Sequence, residues 1–189
     1  MKTILRFFIC CAVALTLLPK ESALGQTSPY YFYGIDFSHV KVYGAHEKPE
    51  DFAKAMGGIN GLFIYESGKY NVSRLFKQKY VINVEHMIAY NKNADFTDIM
   101  ANSPSIPLID MSAIIDAYEL PNQTGTGAVF VARMLDKDGG RGIFDIVVFD
   151  IESRKILRTA TVEGEPGGYG LRNYWANSIA EILDNTRLY

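Results

Sequence analysis

A single α+β domain, a mixed, mostly antiparallel sheet with a late three-strand meander and two main helices packed on it, is predicted by three features of the sequence. Aromatic and β-branched residues crowd Tyr30 to Tyr43, which favours a strand. Three more strand-like runs follow one another late in the chain, separated only by short turns. Two stretches, one starting at Pro49 and one closing the chain, repeat apolar residues at helical spacing.

Taken in order, a regular strand over Tyr30 to Tyr43 would carry Tyr31, Tyr33, Ile35, Phe37, His39 and Lys41 on one face. Its other face would carry Phe32, Gly34, Asp36, Ser38, Val40 and Val42. A helix over Pro49 to Tyr65 follows: Pro49 suits a first turn, Glu50 and Asp51 complement the helix dipole, and Phe52, Met56, Ile59 and Phe63 form the apolar stripe. Gly57, Gly58 and Gly61 inside it weaken a helix, so a packing reason is expected there, close approach to a sheet being one. Asn71 can cap a short helix through Phe76, and Ile82, Val84, His86 and Ile88 alternate as in a strand. Residues 89–110 read as irregular, with a helical turn possible at Phe96 to Met100. Asp110 then caps a helix bearing Met111, Ile114, Ile115 and Tyr118, which Pro121 stops.

The meander comprises Ala128 to Leu135, Gly142 to Ile151 and Lys155 to Val162, with turns at Asp138-Gly139-Gly140 and Glu152-Ser153-Arg154. Both faces of its middle strand are apolar, which predicts a strand covered on both sides. A glycine-rich loop, Gly164 to Gly170, leads into a terminal helix with Trp175, Ile179, Ile182 and Thr186 on its buried stripe.

Residues 1–25 read as a cleaved signal peptide. Lys2 and Arg6 precede an apolar run from Phe7 to Leu18, Pro19 breaks it, and Ala23-Leu24-Gly25 supplies small residues for cleavage. The run is too short for a membrane span of about 20 residues. Residues 26–189 would then form the domain, placed in a periplasm or outside the cell. Cys10 and Cys11 both lie in the leader, so no disulfide, thiolate site or cysteine nucleophile is expected afterwards, and Ile9-Cys10 does not suit a lipid anchor on Cys11. Removing Lys2, Arg6 and Lys20 from 19 basic residues, and Glu21 from 21 acidic ones, leaves 16 against 20 and a net charge of −4. That balance argues against a nucleic-acid partner.

No cofactor and no metal is expected. His39, His46 and His86 lack zincin spacing, and His86 reads as a hydrogen-bonded core histidine on an apolar strand face. Asp136 to Arg141 superficially suggests a calcium loop, but Arg141 and Val147 stand where an EF-hand needs glycine and glutamate, so a hairpin turn is the better reading. Asp36, Ser38 and His39 suit a catalytic relay by residue type. Strand alternation points His39 away from the other two, so no catalytic residue is assigned.

The most suggestive segment runs from Gly164 to Trp175. Gly167, Gly168 and Gly170 lead into a helix beside Arg172 and Asn173, which together could hold a phosphate, sulfate or carboxylate. Alternatively, the glycines supply positive φ and tight packing while Arg172 and Asn173 cap the helix or tie it to the sheet. Tyr30, Tyr31, Tyr33 and Tyr43 suit both a sheet and an interface.

Three stretches, Gly34-Ile35-Asp36-Phe37-Ser38 with Val40-Lys41-Val42, Val148-Phe149-Asp150-Ile151, and Gly167-Gly168-Tyr169-Gly170-Leu171-Arg172-Asn173-Tyr174-Trp175-Ala176, resemble an uncharacterised family of exported bacterial proteins. The resemblance implies export and a fold but no reaction. A fold-level likeness, carried by the order of strand, helix, meander and closing helix, is to the periplasmic domains of the curli-secretion and penicillin-binding-protein activator lipoproteins. Here the lipid-bearing cysteine is missing and the turn after Asp150 lacks the usual glycine. The expected function is an exported, non-enzymatic binding or assembly module of the envelope or exterior with a protein partner. The alternative is a small-anion or substrate site, with or without catalysis, around Arg172 and its loop.

Overall fold

The computed structural model describes residues 29–189, so the predicted signal peptide lies outside the described residues. The elements in chain order are β1 Tyr30–Asp36, β2 Lys41–Tyr43, α1 Pro49–Gly57, α2 Leu62–Tyr65, α3 Ser73–Phe76, β3 Val81–Ile82, α4 Glu85–Lys92, α5 Met111–Asp116, β4 Thr126–Asp136, β5 Arg141–Asp150, β6 Ile156–Gly164 and α6 Leu171–Asn185. One sheet of order β3-β1-β4-β5-β6 results, with β2 pairing β4 as well. The long ladders are antiparallel, the predicted meander β4-β5-β6, while β1 runs parallel to β3 and β4. The fold is α+β, as expected.

Helices cover both faces. Phe32, Ile35, Phe130, Phe144 and Ile146 face α1 and α6 in the larger core, where Phe52, Met56, Trp175 and Ile179 are buried against them. Tyr33, Val129, Val131, Val147 and Phe149 face the smaller core with Met87 of α4 and Ile114 and Ile115 of α5. Asp110 caps α5 as predicted, its Oδ1 accepting from the Ala113 N–H at 3.1 Å. On this second face Arg133, Asp145 and Thr161 link β4, β5 and β6, and Arg133 also donates to the Pro107 carbonyl, which anchors the segment leading into α5.

Four expectations are corrected. The first strand is not continuous to Tyr43, nor does it alternate regularly. Its register against β4 slips between Phe32 and Ile35, around Gly34 at φ +100°. An extra residue inserted in this way reverses the alternation. Ile35 therefore joins Phe32 in the larger core while Tyr33 faces the smaller one.

The predicted helix from Pro49 to Tyr65 is two helices. Gly57, Gly58 and Gly61 surround the break, and Asn60 inside it turns its amide onto β1. The predicted stripe Phe52, Met56, Ile59 and Phe63 is buried nonetheless. The alternation from Ile82 to Ile88 is not a strand either: β3 stops at Ile82 and α4 begins at Glu85. Met87 and Asn91 are its buried positions, at helical spacing, and Val84 is buried just ahead of it. His86 is consequently exposed on α4 and not a core histidine. The predicted Asp110 helix, α5, joins α4 in covering the second face of the sheet.

The helix break at Asn60 and the helix α4 both supply partners to β1. Beyond Phe32, whose carbonyl accepts from Asn83 N–H at 2.9 Å, β1 has no strand on its outer side among the described residues. Two buried asparagines take that place. Asn60 accepts from Ile35 N–H at 2.7 Å and donates to Ile35 O at 2.9 Å. Asn91 donates to Ile35 O at 2.7 Å and accepts from Phe37 N–H at 2.8 Å. Asn60→Ala would leave the buried Ile35 N–H unpaired, so chemical denaturation should show a loss of about 2 kcal/mol. A loss under about 0.5 kcal/mol would mean that the clasp is dispensable.

Candidate functional site

The strand-to-helix loop ahead of α6 brings together all the residues singled out there. Gly168 and Gly170 adopt φ +94° and +81°, which favour glycine, as the packing alternative requires. Gly167 N–H donates to Tyr174 O at 2.9 Å, and Tyr174 N–H donates to Gly170 O at 2.9 Å. Asn173 Nδ2 donates to Tyr169 O at 3.1 Å, and Arg172 Nε and Nη2 donate to Asn173 Oδ1 at 3.1 and 2.9 Å. These donors are therefore engaged inside the loop, and Asn173 is the hinge pin between the Arg172 guanidinium and the loop backbone.

The aliphatic stem of Arg172 reaches the break between α1 and α2. A Cβ on Gly58 would stand 2.9 Å from Arg172 Cδ, so glycine leaves the space that the arginine fills. A Cβ on Gly61 would stand 3.3 Å from the Tyr65 ring, which packs over that glycine. Tyr65 is 84% exposed and Tyr169 95% exposed, while Ile64 beside Tyr65 is 44% exposed. The Arg172 stem thus brings the loop against the helix break, and each of these two segments carries an exposed tyrosine, Tyr169 on the loop and Tyr65 beside the break. The loop's support is rigid: Trp175 and Ala176, one turn into α6, are buried in the larger core.

The other sequence candidates lie on the opposite face. Asp36 is buried at the end of β1, where Oδ1 accepts from Ser38 N–H at 2.7 Å and Oδ2 from the Tyr118 hydroxyl at 2.7 Å. It ties β1 to the residue just past α5. Burial, then the adjacent Asp36 charge, pushes the Tyr118 phenol well above its ordinary value, and the same two causes raise Tyr90. His39 is exposed, and among the described residues no hydrogen bond joins it to Asp36 or Ser38. Asp36, His39 and Arg172 do not converge, because Asp36 faces the smaller core while α6 lies on the larger one.

Asp136 to Arg141 is the predicted hairpin turn, with the Asp136 carboxylate accepting from Gly139 N–H at 2.7 Å and from Arg141 Nε at 3.2 Å. Among the described residues, no group of at least three histidine, cysteine, aspartate or glutamate side chains is gathered to hold a metal. No helix among them is long and apolar enough to cross a membrane. Sequence reasoning missed Tyr65 as a surface residue, because it ends a run expected to be one amphipathic helix; the glycines around Asn60 were the available signal.

Compared with family models, curated proteins and solved structures, the chain matches none.

Proposed function

We propose that this protein is an exported, non-enzymatic binding module of the bacterial envelope or exterior, and that it meets a protein partner through the surface formed by Tyr65, Arg172 and Tyr169. The observation that carries this reading is the near-complete exposure of two tyrosines on two segments that the stem of Arg172, itself held by Asn173, brings together. Tyrosine and arginine are the residue types that dominate binding energy at protein interfaces, and a preordered arginine loses less freedom on binding. The matching surface would offer a carboxylate to Arg172 and apolar side chains to the two rings. Export is supported by the leader-like sequence of residues 2–25 and by the resemblance of the Gly167 to Ala176 motif. The scatter of Asp36, His39 and Arg172 over two faces of the sheet favours binding over catalysis.

The test is a quantitative pull-down from the native envelope, comparing the unaltered protein with Tyr65→Ser/Tyr169→Ser and with Arg172→Ala. Each variant should keep its melting temperature and lose most of the captured partner. Equal capture by all three would refute the assignment. A melting temperature raised by inorganic phosphate in the unaltered protein, and not in Arg172→Ala, would move the reading to a small-anion site.

A further inference from the structure

A cleft of about 370 Å³ opens on the face of the sheet opposite Arg172, between α4 and residues 117–120, above Tyr33. We infer that it is a binding site for a flat, uncharged aromatic small molecule. Its size lies in the range of roughly 300 to 1,000 Å³ typical of small-ligand sites.

The floor and walls are aromatic and held in place from behind. Tyr33 stacks on Phe149, with ring centroids 6.2 Å apart at 25°, and its hydroxyl donates to Asn122 Oδ1 at 3.1 Å. Asn83 Nδ2 donates to the same oxygen at 3.1 Å, so Asn122 is itself fixed. Tyr118 is anchored by its bond to Asp36, and Tyr90 stands edge-on to Tyr118 at 5.4 Å and 86°. The Tyr33 and Tyr118 hydroxyls are thus spent on interior partners. These three rings and the Met87 thioether line the cleft, a composition that suits the face or edge of another aromatic ring.

Charge and shape narrow the ligand further. Burial raises the Tyr33 phenol to about 12, against the lowering influence of Arg154, so the floor is neutral under ordinary conditions. Besides these tyrosines, the ionisable lining residues are His86 and Glu119, and both are exposed to solvent. Ala89 on α4 and Ala117 after α5 both line the cleft with small side chains, which leave its space open. Since this cleft and the Arg172 surface lie on opposite faces of the sheet, either can fail without the other.

Fluorescence titration with the neutral probe N-phenyl-1-naphthylamine tests the site. Saturable binding in the micromolar range is expected, at least about tenfold tighter than that of the anionic analogue 1-anilinonaphthalene-8-sulfonate. Ala89→Trp should weaken the neutral probe about tenfold or more without lowering the melting temperature. Ala117→Phe, on the other wall, is the second variant should Ala89→Trp fold poorly. Absence of saturable binding up to about 100 µM, equal affinity for the two probes, or affinity unchanged in both variants would overturn the assignment.

Discussion

Replacing Trp175 with alanine is expected to cost about 3 to 5 kcal/mol of unfolding free energy, a large fraction of what holds a domain of this size together. Trp175 is 1% exposed on the inner side of α6, with the Tyr174 ring edge-on at 5.0 Å. It sits in the core that also holds Phe52, Met56 and Ile179, so truncation opens a cavity between α6 and the elements beneath it. Two terms add: the transfer energy of the indole, and the dispersion attraction that the walls of the void forfeit when nothing fills it. Its Nε1 has no hydrogen-bond partner among the described residues, so no polar interaction disappears with it. Trp175→Phe should accordingly cost only about 1 to 2 kcal/mol, because the smaller ring still fills much of the space and removes an unpaired donor. Urea unfolding of both variants checks this. A loss under about 1 kcal/mol for Trp175→Ala would overturn the packing of α6 on the sheet.

Gly164→Ala should be nearly as damaging, for the opposite reason. Its Cβ would stand 2.0 Å from the backbone oxygen of Ser178 and 2.9 Å from Ile182 Cγ1. Gly142, its partner across β5 and β6, would place a Cβ 3.0 Å from Ser178 as well. The two glycines make a notch in the sheet, and α6 lies in it at Ser178. A methyl group there meets backbone, which yields only if the whole helix shifts, so a loss of about 3 kcal/mol is expected, at the upper end of ordinary overpacking. Gly57→Ala is the control. A Cβ there would meet nothing within 4 Å, and the residue ends α1, so the change should be neutral or stabilising by up to about 1 kcal/mol. Thermal unfolding of the two variants side by side distinguishes a tight notch from a general intolerance of substitution at glycine.

The Gly142 and Gly164 notch also shows why the site was only partly legible. The motif from Gly167 to Asn173 stands out by its glycine spacing and the adjacent Arg172, and these residues do come together. What the motif touches was not legible. The Arg172 stem reaches Gly58, and the Tyr65 ring covers Gly61, more than a hundred residues earlier in the chain. Likewise, Asp36 and Tyr118 read separately as a strand residue and a helix residue, yet they share a hydrogen bond across 82 positions.

From its sequence alone, this chain is determined to form the late meander, the Asp110-capped helix and the closing helix under Trp175. In each, the signal and the structure it specifies lie within one turn or one hairpin of each other. Only the tertiary structure decided the reversal at Gly34, the break around Asn60 and the helix that replaced a strand at Glu85. The break and the helix both answer the need of β1 for hydrogen-bond partners where its neighbour β3 ends. Those partners come from Asn60 and Asn91, 25 and 56 residues from Ile35. A buried backbone group must be paired, but nothing in its own neighbourhood of sequence says by whom.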